Sequence, residues 1–258
     1  MLHYKTYTNK NQKDWVVFIH GAGGSSSIWS GQVRDFRKNN NVLLIDLRDH
    51  GKSKNLKPLK KYTFNQISKD VIEVIDYLKI EKAHFVGISL GTIIIKELAK
   101  LQPNRIKSMI LAGAITRINP FGKFLISIAS IFKSILPFII LYKLFAFIIM
   151  PKKNHTTSRR RFVEQAKKLH HKDFLNWFRL THRINKKLTK VEKSLSSIPT
   201  LYVMGSEDYM FIGDIKKLIK IKKDNVKLEI IPNCGHVVNI EQPKLFNEVC
   251  NSYLKNNF

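Results

Sequence analysis

Short apolar runs, separated by polar stretches that contain glycine, recur along the chain and predict buried strands. Continuous apolar runs of about four to eight residues are typical of strands covered on both faces of a parallel sheet. Six runs have this character: Trp15 to Ile19, Val42 to Ile45, Ala83 to Val86, Ser108 to Leu111, Thr200 to Met204 and Leu228 to Ile231. Glycine, proline or a polar residue follows each run closely, which predicts a turn there.

The intervals between these runs carry apolar residues at helical spacing. From Asn65 to Leu78, apolar side chains recur every three or four residues and so lie along one side of a helix. Three further helices are predicted at Leu90 to Leu101, Gly213 to Lys223 and Gln242 to Leu254. Strands that alternate with helices predict an α/β fold, in which a mostly parallel, doubly wound sheet is covered by helices on both faces.

Residues 116–193 interrupt this alternation. We predict that they form a helical cap inserted between two core strands, and that residues 1–115 and 194–258 together form the sheet domain. A chain of 258 residues is long enough for one well-buried domain with such an insert, and short for two independent domains.

The first half of the insert, from Phe124 to Met150, is almost wholly apolar. A single membrane-spanning helix is a poor interpretation, because Pro137 lies near the middle and Lys133 and Lys143 lie within the run. We predict instead two or three short helices broken near Pro137, which line or roof a pocket for an acyl chain. The second half, Lys152 to Lys193, is basic and punctuated by apolar residues, which predicts amphipathic helices.

The chain is strongly basic, with a formal net charge of +26. The insert carries 18 basic residues and 3 acids, so its net charge is +15 and the excess is concentrated there. A positive field favours anionic partners such as acidic substrates, nucleic acid or anionic lipid, although it can also merely solvate the surface. No nucleic-acid-binding motif is present and no nucleic-acid partner is expected. The basic, apolar insert suggests peripheral contact with an anionic membrane.

Two features predict a cytoplasmic protein, either free or peripheral at the inner membrane surface. The N-terminal residues, Met1 to Asp14, lack the apolar stretch of an export signal. The two cysteines, Cys234 and Cys250, are expected to be free thiols, as is usual inside cells. Nothing in the sequence favours one oligomeric state over another.

The segment from Gly87 to Gly91 has the G-x-S-x-G pattern between a predicted strand and a predicted helix. A nucleophilic serine at this place stands on a tight turn, and the small glycines leave space beside it. The helix that begins at Leu90 directs backbone N–H groups and a partial positive charge toward the site. The same pattern also occurs as a packing turn, but the strand and the helix around it favour Ser89 as a nucleophile.

A serine hydroxyl needs a base, and the base needs an acceptor that holds its tautomer. Among nine histidines, His236 is best placed, because it follows a strand and precedes the last predicted helix. Asp208 also follows a strand, so Ser89, Asp208 and His236 occur in the chain order expected for this arrangement. Glu207 and Asp214 are competing acids.

The remaining histidines have other expected environments. His20 is assigned to a turn and His84 to core packing. The histidines of the insert are expected to be solvated: His155, His170, His171 and His182.

Acyl transfer through serine also needs N–H donors for the oxygen that becomes negatively charged. We predict the backbone N–H of Leu90, directly after the nucleophile, and that of Ala22, in the glycine-rich loop from His20 to Gly24. This loop lacks the spacing of phosphate- and dinucleotide-binding loops. Cys234 and His236 have no second cluster that would complete a metal site. The sequence therefore predicts neither a metal nor another cofactor.

Five segments together resemble the α/β-hydrolase fold superfamily, in its lidded serine esterase and lipase-like branch. They are HGAGGSSSIW (His20 to Trp29), DLRDHGKS (Asp46 to Ser53), GISLG (Gly87 to Gly91), GSEDYM (Gly205 to Met210) and CGHVVNIEQP (Cys234 to Pro243). They occur in the family's order and cover nearly all of the chain apart from the insert. The resemblance places a cap at the position of the insert.

Residue by residue, the resemblance implies Ser89 as nucleophile, Asp208 as acid and His236 as base, with the N–H groups of Ala22 and Leu90 as oxyanion donors. Two positions depart from the family's pattern. They are Asp49, where relatives often carry glycine, and Ile88, where many relatives carry histidine or glutamine.

We therefore expect a serine hydrolase that cleaves carboxylic esters of a small-molecule or lipid-like substrate through an acyl-enzyme. One alternative is a lyase or C–C hydrolase of the menaquinone-pathway synthase type, acting on an acidic substrate bound by arginines of the insert. Another is a lipid-binding protein without catalysis on a hydrolase scaffold. The candidate arginines are Arg159, Arg160, Arg161, Arg179 and Arg183.

Overall fold

A computed structural model describes residues 1–54, 56–133, 135–181, 184, 197–221 and 225–257 and contains a seven-stranded sheet. The strands are β1 (Tyr4–Tyr7), β2 (Trp15–Ile19), β3 (Asn41–Ile45), β4 (Ala83–Ile88), β5 (Ile106–Ala112), β6 (Thr200–Gly205) and β7 (Val226–Ile231). Their order is β1-β3-β2-β4-β5-β6-β7, with β1 antiparallel to β3 and all other neighbours parallel. The predicted α/β fold with a mostly parallel sheet is confirmed.

Helices connect the strands and cover the sheet. Those in the described part of the chain are α1 (Ser30–Phe36), α2 (Phe64–Tyr77), α3 (Leu90–Leu101), α4 (Pro120–Phe132), α5 (Phe138–Ile149), α6 (Thr156–Ala166), α7 (His171–Thr181), α8 (Ile212–Ile221), α9 (Val238–Glu241) and α10 (Pro243–Asn257). The four predicted core helices correspond to α2, α3, α8 and α10. The side chain of Thr63 accepts from the N–H of Gln66 and caps the start of α2.

Side chains that alternate along the strands enter two separate cores. Val17 and Phe85 lie in one core with buried residues of α2 and α3. Val16 and Val86 lie in the other, with Phe246 of α10. The two cores show that both faces of the sheet are buried. Successive strand residues point to opposite faces, so nearly every residue of a central strand is buried and its sequence is an almost continuous apolar run.

Helices α4 to α7 lie within the predicted insert. The chain breaks between α4 and α5, and Pro137 directly precedes the first turn of α5, as predicted. Helices α5, α6 and α7 share a small core formed by Tyr142, Ala166 and Phe174, whereas Gly122 is the buried residue of α4. Among the described residues, every helix is too short or too polar to span a bilayer.

The structure describes the first predicted boundary of the insert but not the second. Residue 116 lies between β5 and α4. Residues 193 and 194, and most of the predicted amphipathic stretch after Thr181, lie outside the described residues. The division into a sheet domain and a cap therefore stays a prediction.

Candidate active site

Ser89 lies at the turn between β4 and α3. Its backbone φ of 53° and ψ of −119° are sparsely populated by residues with a side chain, at a cost of about 1–3 kcal/mol. The N–H of Ser89 donates to the carbonyl oxygen of Ala112 at 3.0 Å, which fixes the turn against β5. A methyl group at Gly91 would lie 2.4 Å from the carbonyl oxygen of Ile19, so glycine is needed where α3 approaches β2.

Side chains from three loops form one hydrogen-bonded row. Nε2 of His236 lies 2.9 Å from Oγ of Ser89, and Nδ1 of His236 lies 2.9 Å from Oδ2 of Asp208. His236 and Asp208 are both buried. The three residues follow β4, β6 and β7, and parallel strands end at the same edge of a sheet, which brings them together.

The donors and acceptors of this row are ordered as proton transfer from Ser89 to His236 requires. An aspartate carboxylate can only accept, so Nδ1 of His236 donates to Asp208 and Nε2 is left to accept from the hydroxyl of Ser89. Oδ1 of Asp208 has no donor in the part of the chain that the structure describes. The ring of Phe211 packs 5.2 Å from that of His236 and limits its rotation. The arrangement can remove the proton of Ser89 and hold it as an imidazolium.

The two N–H groups predicted to bind an oxyanion are available. The N–H of Leu90 is the first in α3 and has no partner within the helix. The N–H of Ala22, which lines a cavity above Ser89, donates to no described group. The carbonyl oxygen of Gly21 belongs to the same peptide unit and accepts from Nδ1 of His20 at 2.7 Å. That hydrogen bond fixes the direction of the Ala22 N–H.

Two buried histidines hold this loop as neutral Nδ1–H tautomers. Nε2 of His20 accepts from the N–H of Leu47 at 2.9 Å, so Nδ1 carries the proton. Nε2 of His50 accepts from the N–H of Gly23 at 3.0 Å, and Nδ1 donates to the carbonyl oxygen of Arg48 at 2.8 Å. Burial lowers the pKa of both histidines, and burial together with the neighbouring His50 lowers that of His20 to about 3.

The insert also holds the loop after β2. The hydroxyl of Tyr142 on α5 donates to the carbonyl oxygen of Ala22 at 2.5 Å. Gly23 has a φ of 67°, and a methyl group there would lie 2.2 Å from the Tyr142 hydroxyl, so the contact requires glycine. Trp177 of α7 packs edge-on against the ring of His50 at 4.9 Å. Two helices of the insert therefore contact the residues that shape the oxyanion loop.

A narrow cavity of about 40 Å³ lies above Ser89. Its described lining comprises Gly21, Ala22, Gly24, Ile28, Ile88, Ser89, Arg161, Phe162, Gln165, His236, Val237 and Ile240. The insert contributes Arg161, Phe162 and Gln165, all from α6. The prediction that Phe124 to Met150 lines an acyl pocket is therefore wrong for this cavity, because none of the described residues of that range borders it. Its buried residues Ala146, Ile149 and Met150 lie instead in the core that contains Val16 and Val86.

A sequence profile described as alpha/beta hydrolase fold matches residues 14–135 of the chain. The enol-lactonase from Burkholderia xenovorans has a similar structure over 98% of this chain and 96% of its own, at 21% identity and a TM-score of 0.81. The chain has the α/β-hydrolase fold. The fold implied by the resemblance of the five sequence segments is thereby confirmed.

Two relatives match this chain over most of its length. A putative 2-succinyl-6-hydroxy-2,4-cyclohexadiene-1-carboxylate synthase from Bacillus subtilis is 25% identical over 95% of this chain and 91% of its own. A putative carbamate hydrolase from Pseudomonas savastanoi is 26% identical over 93% of each chain. Their names describe different reactions, so the shared fold does not define the substrate.

The residue before Asp208 faces the insert and not His236. Glu207 accepts hydrogen bonds from Asn154 at 2.9 Å, from Lys152 at 2.7 Å and from Nε2 of His155 at 2.7 Å. The donors, Asn154 and Lys152 first, lower the pKa of Glu207 to about 2. Glu207, the competing acid of the sequence analysis, therefore remains ionised and joins the Asp208 loop to the segment before α6.

His155 is fully buried, contrary to the expectation that histidines of the insert are solvated. Its Nε2 lies 2.7 Å from Glu207 and 3.6 Å from Glu241. Glu241 in turn accepts from the N–H of Gly235, the residue before His236, at 2.7 Å. His155 thus lies between two carboxylates, one beside each of the loops that carry Asp208 and His236.

Asp49 stands where relatives often carry glycine, and it has a φ of 66°, a region that favours glycine. Its Oδ2 accepts from the hydroxyl of Tyr62 at 2.6 Å and from Nε1 of Trp177 at 3.0 Å. The carboxylate therefore ties α7 to the loop after β3. The sequence pattern did not predict His50, Tyr142 or Trp177 at the site. The available signal for His50 was its place in a polar, glycine-containing segment directly after a strand.

Other candidates from the sequence lie away from the row. Asp214 pairs with Arg117 at 2.7 Å. His84 is buried with Nδ1 2.7 Å from the hydroxyl of Ser108, as core packing predicts. Cys234 and Cys250 are buried free thiols.

The other histidines of the insert differ from His155. His170 and His171 are exposed, as expected, and His182 lies outside the described residues.

Proposed function

We propose that this α/β-hydrolase is a serine hydrolase that cleaves carboxylic esters through an acyl-enzyme intermediate. The observation that carries the proposal is the row of Ser89, His236 and Asp208, with both hydrogen bonds at 2.9 Å. The strained backbone at Ser89 adds to it, because such strain is concentrated at functional sites. The names of relatives, which include a carbamate hydrolase and an enol-lactonase, support hydrolysis as the reaction class.

In the proposed reaction, His236 takes the proton of Ser89 while Oγ attacks the carbonyl carbon of the ester. The carbonyl oxygen becomes negative and accepts hydrogen bonds from the N–H groups of Ala22 and Leu90. His236 returns the proton to the leaving alcohol as the C–O bond breaks, and the acyl group stays on Ser89. Water, deprotonated by His236, then releases the acid. Asp208 stabilises the imidazolium in both halves of the reaction.

A fluorophosphonate probe and a series of p-nitrophenyl esters of increasing acyl length test this proposal. Wild-type protein is expected to be labelled and to cleave an ester, and Ser89→Ala is expected to lose both. Ser127→Ala is the matched control, because Ser127 is an exposed hydroxyl on α4, and it should change neither. Without labelling of the wild type, the nucleophile assignment fails and a binding protein on a hydrolase scaffold takes its place.

Arg161 favours a second candidate, a lyase or C–C hydrolase acting on an acidic substrate. Its side chain borders the cavity above Ser89, and no carboxylate among the described residues pairs with it. The Bacillus subtilis relative is named as the synthase of a carboxylate. Here Arg161 would bind the carboxylate of the substrate, and His236 would serve as the base. Labelling of Ser89 without cleavage of any ester would favour this candidate.

The variant Arg161→Gln tests whether the substrate is acidic, with Arg160→Gln as the matched control. Arg160 lies 4.0 Å from Glu164 on the exposed side of α6 and does not line the cavity. For p-nitrophenyl succinate, Arg161→Gln should raise KM about tenfold, since a hydrogen bond to a charged group contributes about 1.5–3 kcal/mol. KM for the neutral p-nitrophenyl butyrate should stay the same. An equal effect on both esters would count against the acidic substrate.

The other predicted arginines are less well placed for this role. Arg159 donates to backbone oxygens and packs on the ring of Phe147, and Arg179 donates to Asn176. Arg183 lies outside the described residues.

A further inference from the structure

Helices α4 and α5 turn large apolar side chains toward solvent. We define the apolar face by six of them: Phe124, Ile131, Phe132, Ile140, Leu144 and Phe147. Phe124 is 60% exposed and Leu144 is 55% exposed. Single exposed apolar residues are ordinary on a protein surface, but a set of them on consecutive helices is typical of an interaction surface.

Helix α5 is apolar on its buried side and also on its exposed side, although packing against the protein requires apolar residues only on the buried side. On one side, Tyr142, Ala146 and Ile149 are buried against the protein. On the other, Ile140, Leu144 and Phe147 recur at similar helical spacing and are exposed. A surface helix ordinarily carries polar residues on the side that faces water. Helix α5 is apolar on both sides, which indicates a second apolar partner.

The charged residues of α4, α5 and the chain that flanks them have one sign. Residues 98–163 contain no aspartate or glutamate. Lys123 and Lys143 are exposed on α4 and α5, and neither forms an ion pair with a described residue. A second copy of the chain docked through the same face would bring like charges together, which disfavours it. An anionic lipid surface supplies negative headgroups and an apolar interior side by side.

We propose that the apolar face docks on the surface of an anionic lipid bilayer. Helices α4 and α5 have 13 and 12 residues, so they lie along the interface and do not cross it. The apolar side chains enter the boundary between headgroups and acyl chains, and Lys123 and Lys143 contact the headgroup phosphates. The docking surface is independent of the proposed catalysis, because none of its residues touches Ser89 or the cavity.

Flotation with lipid vesicles tests the docking surface. The Ser89→Ala protein is mixed with phosphatidylcholine vesicles that do or do not contain phosphatidylglycerol, so that catalysis plays no part in the result. The protein is expected to float with the anionic vesicles and to stay behind with the neutral ones. In the Ser89→Ala protein, Phe124→Ser and Leu144→Ser should each lower the membrane partition coefficient roughly tenfold. Lys123→Gln and Lys143→Gln should lower it about fivefold each.

Ile221→Ser is the matched control, since Ile221 is 82% exposed on α8 and follows Lys220 but lies outside the apolar face. It should float like its parent. Circular dichroism and the thermal midpoint confirm that each variant keeps its fold. Equal recovery with both vesicle types, or binding that survives the serine variants, overturns the proposal. So does a dimer in solution that the serine variants dissociate, because a second copy then covers the face.

Discussion

One hydroxyl group of the insert holds a peptide unit beside the candidate nucleophile. The hydroxyl of Tyr142 donates to the carbonyl oxygen of Ala22, and burial raises the pKa of Tyr142. The phenol therefore stays protonated and keeps its role as a donor. Because Ala22 carries a predicted oxyanion donor, the position of this loop bears directly on the proposed acyl transfer.

We expect Tyr142→Phe to lower kcat for ester cleavage about fivefold to tenfold, because a hydrogen bond of this kind contributes about 1 kcal/mol. KM should change little, since an oxyanion donor acts mainly in the transition state. Steady-state kinetics give both values. Tyr77→Phe, at an exposed position of α2, is the control. A wild-type kcat in Tyr142→Phe would show that the loop keeps its position without this hydrogen bond.

Asp49 combines an unfavourable backbone with two hydrogen bonds to its side chain. Asp49→Gly and Asp49→Ala both remove the acceptor of Tyr62 and Trp177, but only alanine retains a Cβ at a φ of 66°. The alanine variant should therefore be less stable than the glycine variant by about 1 kcal/mol in free energy of unfolding. Urea denaturation measures the difference. Equal stability of the two variants would contradict a strained backbone at this position.

At the scale of elements, the start of α6 is joined to the Asp208 loop through His155 and Glu207. We expect His155→Phe to destabilise the protein by about 2 kcal/mol, because the buried carboxylate loses a donor. The thermal midpoint should fall by roughly 4–8 °C, measured by calorimetry. His171→Phe, at an exposed histidine of α7, is the matched control. An unchanged midpoint in His155→Phe would mean that Lys152 and Asn154 hold Glu207 by themselves.

Strands and helices with a simple apolar pattern could be predicted, whereas two elements with polar patterns could not. β1 is an edge strand with the sequence YKTY, and two of its residues are exposed. α1 has seven residues and buries Gln32, which donates to the backbone of Asn239 and the side chain of Asn247. When a buried position of a helix is polar because its hydrogen-bond partners lie elsewhere in the chain, the hydrophobic pattern does not show which side of the helix is buried.

The same distinction applies to the candidate site. Ser89, Asp208 and His236 could be placed together because each follows a strand, and parallel strands end at one edge. Tyr142 and His155 could not, since their partners lie 120 and 52 residues away along the chain. Which side of an insert helix faces the sheet depends on tertiary packing, and no local pattern encodes it.

At the scale of the whole molecule, buried histidines link stability to pH. Burial, together with the neighbouring His50, lowers the pKa of His20 from 6.5 to about 3. Between these two values the unfolded chain binds a proton at this residue and the folded chain does not. The free energy of unfolding therefore rises with pH in this range. The contribution is complete above 6.5 and is lost as the pH falls toward about 3.

We expect His20 to contribute up to about 1.4 kcal/mol per pH unit to the slope of unfolding free energy against pH. His20→Asn should lose that part of the slope, as measured by urea denaturation at several pH values. His170→Asn, at an exposed histidine, is the control and should keep the wild-type slope. A His20→Asn protein with the wild-type slope would mean that other groups produce the dependence.

The cavity above Ser89 has a kinetic consequence. Ser89 is only half-buried, and the insert residues in the described lining of the cavity, Arg161, Phe162 and Gln165, all come from α6. A shift of α6 would therefore change the width of the space that a substrate enters. Where substrate entry and product release both need such a shift, variants of α6 change the association and release rate constants together.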